Sequence, residues 1–174
     1  MWRELLGAAR IPEAFVAGLA GPPGTGKSTT CARLAEDGTF RRPLLVSAEE
    51  KFGDGLADRL ARLEAVTLSV ADARNMAEVI DLVGRGDYDL IVLDSLSALG
   101  ARVEDLAVMR EEFPDRAWLA VAQWTKAGGH AGAMRLVHDC DYWIQLGPSA
   151  GEYELTKSWH GEAGRKGRIG GGEE

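Results

Sequence analysis

The sequence predicts an α/β domain with a mainly parallel central sheet. Short continuous apolar runs recur along its 174 residues, as strands buried on both faces of a parallel sheet require, and segments with helical spacing separate most of them. Several runs end in a carboxylate or an amide, at the edge where ligands meet an open parallel sheet. Gly21 to Ser28, reading GPPGTGKS, fits the phosphate-binding template G-x-x-x-x-G-K-[ST] at every fixed position.

Residues 1–14 form an N-terminal helical extension whose start is amphipathic, with Trp2, Leu5 and Leu6. Phe15 to Ala20 is the first strand, and Thr29 to Ala35 belongs to the helix after the glycine-rich loop. The template needs both flanks, because loop N–H groups and a helix N-terminus must face the phosphates together. That helix ends near Asp37-Gly38, and Leu44 to Ser47 is a second strand closed by Ala48-Glu49-Glu50. Gly55 to Leu63 has helical spacing, Val66 to Val70 reads as a strand, and Met76 to Val83 is helical again.

Asp89 to Asp94 is an apolar strand ending in a carboxylate. Arg102 to Glu112 is helical, Ala117 to Ala122 is another buried strand with Gln123 at its end, and Thr125 to Gly132 reads as a flexible glycine-rich loop. Asp141 to Leu146 and Glu152 to Lys157 read as a C-terminal β-hairpin across Gly147 to Gly151. Residues 162–174 are expected as a mobile glycine-rich tail, basic and then acidic. The length suits one domain over 1–174, and no internal repeat interrupts it.

A hydrophobic content of 45% fits a globular chain rather than a disordered one. No apolar run approaches the roughly 18 to 20 residues of a membrane span, and Met1 to Leu6 lacks the apolar region of a signal peptide. A cytoplasmic protein without membrane contact is expected. The net charge of -7 argues against nonspecific nucleic-acid binding by the whole surface, while a local basic patch stays compatible. Cys31 and Cys140 have no Cys or His neighbours at ligand spacing, so burial explains them better than zinc or redox chemistry.

The phosphate loop, Glu49, Asp94 and Gln123 stand at four separate strand ends, so an open parallel sheet brings them to one site. Gly21, Pro22, Pro23, Gly24, Thr25, Gly26, Lys27, Ser28 and Thr29 are the nucleotide-binding candidates, with Lys27 directed at the β- and γ-phosphates. Thr29 serves either the α-phosphate or the helix start. The Ser28 hydroxyl and Asp94 are the candidate Mg²⁺ ligands, a cation that keeps several waters and takes few protein groups. Hydrolysis needs a base, and Glu49 is preferred to Glu50, the alternative for both being solvation or helix capping. Gln123 is the candidate sensor of the γ-phosphate, or it satisfies backbone at a strand end.

In order, GPPGTGKS, Leu45 to Glu50 (LVSAEE), Asp89 to Leu99 (DLIVLDSLSAL), Ala120 to Lys126 (AVAQWTK) and Leu136 to Asp141 (LVHDCD) resemble the RecA-like ATPases. The match is best to the RadA/Sms DNA-repair ATPases, and the DnaB helicase core is also similar. The resemblance runs over roughly residues 15–161. It implies a three-layer P-loop NTPase that hydrolyses ATP with Mg²⁺ to ADP, with AMP and pyrophosphate to be checked, in DNA recombination, repair or replication. Glu49 then activates the attacking water, Gln123 is the polar residue after the fourth strand, and the segment from Thr125 to Ala133 corresponds to a DNA-binding loop. Lys126, His130 and Arg135, in or beside that segment, are the candidate contacts to single-stranded DNA.

These families carry a Lys-Asn-Arg-x-Gly motif that reaches the nucleotide of an adjacent subunit. The same spacing here reads Lys157-Ser-Trp-His-Gly161, so Lys157 is a catalytic candidate and Trp159 stands in the arginine's place. Trans-activation then requires Arg165, Lys166 or Arg168 instead. A homo-oligomer through the core, or through Trp2, Leu5 and Leu6, and a monomer are both compatible.

A stand-alone nucleotide hydrolase without DNA and a small P-loop kinase are the alternatives. A nucleotide-dependent switch that barely hydrolyses ATP is a further one. An AAA+ ATPase lacks room for its helical lid. A kinase is disfavoured because Glu49 precedes a further strand before Asp94, fitting the RecA arrangement with an extra strand between the loop strand and the Walker-B strand.

Overall fold

The structure, a computed structural model, describes residues 1–50, 53–123 and 130–170, the side chains of 130–133 excepted. Helix α1 (Trp2–Leu6) leads into β1 (Phe15–Gly21), α2 (Lys27–Ala35) and β2 (Pro43–Ser47). Helix α3 (Asp54–Arg62), β3 (Ser69–Ala71), α4 (Met76–Arg85) and β4 (Leu90–Asp94) follow. The chain continues through α5 (Val103–Glu112), β5 (Ala117–Gln123), α6 (His130–Asp139), β6 (Tyr142–Leu146), β7 (Glu152–Ser158) and β8 (Arg165–Arg168). The strands form one sheet in the order β3-β2-β4-β5-β1-β6-β7-β8. Neighbours from β3 through β6 are parallel, and β7 and β8 add antiparallel strands beside β6.

Successive side chains of a strand point to opposite faces, and β1 supplies both cores by that rule. Phe15, Ala17 and Leu19 join Trp2 and Leu5 of α1, Leu34 of α2 and Leu56 of α3 on one face. Val16 and Ala20 join Val79 and Val83 of α4 and Leu106 and Met109 of α5 on the other, with Leu136 and Val137 of α6 packed beside them. Helices therefore cover both faces, which makes the three layers and explains why the strands read as unbroken apolar runs. Gly18 permits a close approach within the sheet, since a Cβ there would lie 2.2 Å from the indole carbons of Trp143 on β6.

Four expectations change. The strand expected over Val66 to Val70 is shifted to Ser69–Ala71, because the Glu36 carboxylate accepts hydrogen bonds from the backbone N–H groups of Val66, Thr67 and Leu68. Residues 130–132, expected in the glycine-rich loop, begin α6, and the rest of that loop from 125 to 129 lies outside the described residues. The stretch expected as a loose tail supplies β8, paired with β7, and Ile169 beyond it is buried. Trp2, Leu5 and Leu6 are buried within this chain rather than offered to another: the Trp2 indole N–H donates to the Leu34 carbonyl at 2.8 Å. The β6–β7 hairpin forms across 147–151 as its turn residues indicate. Among the described residues no helix is long and apolar enough to cross a membrane.

Candidate active site

Strands β2, β4, β5 and β1 are adjacent and parallel, so their carboxyl ends stand in a row. Ser47 is in register with Asp94, and Gly21 with Gln123. The turn after β2 is fixed to the end of β4, where the Asp94 carbonyl accepts from Ala48 N at 2.8 Å and from Glu49 N at 3.1 Å. The peptide between Asp94 and Ser95 is cis. A cleft of about 400 Å³ opens at this edge, and the loop, Glu49, Asp94 and Gln123 all line it.

The loop is shaped by two left-handed residues, Gly24 at φ 80° and Gly26 at φ 82°. No atom lies within 4 Å of a Cβ built on either, so backbone conformation rather than space demands glycine there. Thr25 is buried and its hydroxyl donates to the Pro22 carbonyl at 2.8 Å, closing the loop from inside. Pro22 and Thr25 therefore shape the loop without lining the cleft, whereas Gly21, Pro23, Gly24, Gly26, Lys27, Ser28 and Thr29 line it. Gly26 is the N-cap of α2, which directs that helix's unpaired N–H groups at the cleft. Lys27 Nζ donates to the carbonyls of Gly21 at 3.1 Å and Pro22 at 3.0 Å.

Asp94 is only 7% exposed and accepts a hydrogen bond from the Ser28 hydroxyl. Burial raises its pKa above the usual carboxylate value and the Ser28 bond opposes that; Glu49 adds to the rise, while Arg59 and Lys27 lower it. A carboxylate and a hydroxyl so paired are the oxygen donors a magnesium ion takes from a protein when phosphates and waters complete its shell. The donor set fits.

The two adjacent acids separate. Glu49 lines the cleft, whereas the Glu50 carboxylate pairs with Arg59 Nη1 of α3 at 2.8 Å. Arg59 also lines the cleft, a residue that sequence reasoning passed over. Its only signal is position on the helix that follows the two acids, three residues beyond the buried Leu56.

Other candidates lie elsewhere. Lys157 is not among the cleft-lining residues of its own chain; its ammonium donates to the carbonyl of Val137 at 3.0 Å and to that of His138, at the C-terminal end of α6. Arg135 pairs with Glu104 of α5 at 2.9 Å. His130 is the first residue of α6, its side chain not described, and Lys126 lies outside the described residues. Trp159 is 67% exposed. Both thiols are buried, and burial pushes Cys140 up to about 12 and Cys31 well above its usual value.

The architecture has solved counterparts. Flagellar accessory protein FlaH from Methanocaldococcus jannaschii is similar over 95% of this chain and 88% of its own, with a TM-score of 0.71 at 16% identity. The RadB recombinase is similar over 95% of this chain and 90% of its own, with a TM-score of 0.65 at 15% identity. No protein-family model matches the sequence, and no curated protein matches it. At such identities the likeness shows the fold alone: a mostly parallel α/β sheet with helices on both faces, in the RecA-like arrangement.

Proposed function

We propose that this chain is a Mg²⁺-dependent ATP hydrolase of RecA type, in which Glu49 is the general base. The observation that carries the reading is the division of labour between neighbouring acids: Glu49 faces the cleft with Asp94 and Gln123, while Glu50 is engaged by Arg59. In this reading Lys27 exchanges the carbonyls of Gly21 and Pro22 for the β- and γ-phosphates. Loop N–H groups and the start of α2 hold the phosphate chain. Ser28 and Asp94 hold the magnesium, which neutralises charge on the phosphates when bound.

Glu49 takes a proton from water, whose oxygen bonds to the γ-phosphorus. The bond to the β–γ bridging oxygen breaks, its electron pair stays on ADP, and inorganic phosphate is released. Gln123, across from Gly21 at the end of β5, hydrogen-bonds the γ-phosphate. A small-molecule kinase fits less well, because β5 lies between the loop strand β1 and the Asp94 strand β4.

The resemblance to DNA-repair ATPases extends the proposal to single-stranded DNA, through Lys126, His130 and Arg135, and to a RecA-type homo-oligomer. A stand-alone hydrolase is the second reading. The Arg135 pair with Glu104 and the net charge of -7 favour it. Measuring ADP and phosphate release with and without single-stranded DNA tests both readings, with stimulation expected for the DNA-dependent one. Lys27→Ala should abolish nucleotide binding or turnover. Glu49→Gln should bind ATP and lose turnover by about 10²-fold or more, the scale of a positioned base; undiminished turnover would remove Glu49 from that role.

A further inference from the structure

We propose that Arg59 contacts the γ-phosphate, a cation supplied to the cleft by the chain's own α3 and held in place by Glu50; the inference rests on the ATPase reading above. Arg59 already stands on the wall of the cleft that Lys27, Ser28, Glu49, Asp94 and Gln123 share. Helix geometry puts it there. Leu56 is buried and Leu60 packs against the same core, so the inner face of α3 is fixed and Arg59, three residues from Leu56, flanks it.

Its partner is seated as carefully. The Glu50 carboxylate lies against the first turn of α3, where a Cβ on Gly55 would come within 2.7 Å of Oε1. From that seat Oε2 reaches Arg59 Nη1 at 2.8 Å. The arginine side chain is 29% exposed and the glutamate 41%, so this pair at the cleft mouth is weak as a source of stability. Its use is orientation. The guanidinium is a planar fork with several donors, of which the pair with Glu50 engages one nitrogen. Donors therefore remain for a phosphate oxygen while Glu50 keeps its own contact, an arrangement that a single ammonium point charge does not reproduce.

Charge balance calls for such a group. Among the described residues, the titratable side chains lining the cleft are Lys27 and Arg59 beside Glu49 and Asp94, so Arg59 is one of the two basic groups there that a triphosphate meets. Charge in the transition state spreads over the γ-oxygens, which makes a cation placed there worth more than one at the α- or β-phosphate. Arg59 forms and breaks no covalent bond.

Calorimetric binding of ADP and of a non-hydrolysable ATP analogue, each with Mg²⁺, together with ATP turnover, tests this on wild type, Arg59→Ala, Arg59→Lys and Glu50→Gln. Arg59→Ala should keep ADP affinity within about twofold, weaken the ATP analogue about tenfold or more, and lower turnover about 10²-fold or more. Arg59→Lys should recover only part of both losses, and Glu50→Gln should shift analogue affinity and turnover the same way by a smaller factor. Equal analogue affinity and turnover in wild type and Arg59→Ala overturn the assignment and leave the ATPase reading standing. So does an Arg59→Ala protein that loses ADP and analogue affinity in the same proportion, since that marks a damaged loop. Wild-type protein that binds neither nucleotide overturns both readings at once.

Discussion

At Asp94, chemistry and stability oppose each other. The carboxyl is almost wholly buried and its pKa lies above 3.8, so the folded chain holds this proton more tightly than the unfolded chain does. The stability contributed by that proton is complete below the unfolded value and is lost as pH rises through the folded one. At neutral pH the nucleotide-free protein therefore carries a buried charge that Lys27, Arg59 and the Ser28 hydroxyl offset only in part. Asp94→Asn should raise the Tm of the nucleotide-free protein; a gain of about 1 kcal/mol would register as about 2–4 °C at this size. The same variant should lose Mg²⁺-dependent ATP binding. Thermal scans of the two proteins check the first outcome, and a lower Tm for the variant would show that its neighbours already compensate the charge.

Among the elements, α1 shows how a five-residue helix acquires a fixed place. Trp2 packs edge-on against Phe15 at 5.5 Å and Phe40 at 5.9 Å, and its ring N–H is satisfied by α2. A helix this short is marginal on its own, so tertiary packing supplies its stability. Trp2→Ala should cost about 3–5 kcal/mol, seen as a lower urea midpoint at unchanged slope. A cost below about 1 kcal/mol would mean that α1 sits on the surface rather than in the core. The strongly patterned helices α3 and α4 and the apolar strands β1, β2, β4 and β5 were legible because their signals are local. Helix α6 was obscured by Gly132 and the glycines before it, and β8 by the glycine-rich, basic composition of its neighbourhood. The start of β3 was misplaced because the Glu36 carboxylate, 30 to 32 residues away, holds the preceding backbone.

On the scale of the whole molecule, the proposed nucleotide binding would couple the strand ends to global stability. Mg²⁺-ATP at about 100 times its Kd should stabilise the fold by about 2.7 kcal/mol, a Tm rise of about 5–11 °C for a chain of this length. Lys27→Ala should show no rise, and a wild-type Tm unmoved by saturating Mg²⁺-ATP would count against the cleft as a nucleotide site. The sequence by itself determined the phosphate loop, the alternation of strands and helices, and the polar residues Glu49, Asp94 and Gln123 at strand ends, because spacing and periodicity reside in neighbouring residues. Only the tertiary structure decided that Glu49 rather than Glu50 faces the cleft, that Arg59 joins it, that Lys157 braces α6, and that α1 and β8 contribute to the body of the fold. Those outcomes depend on which side chains meet after the chain has crossed from one strand to the next, as Trp2 meets Leu34 and Glu50 meets Arg59. Contacts between such partners have no local signature, and burial and charge pairing select them only once the sheet has assembled.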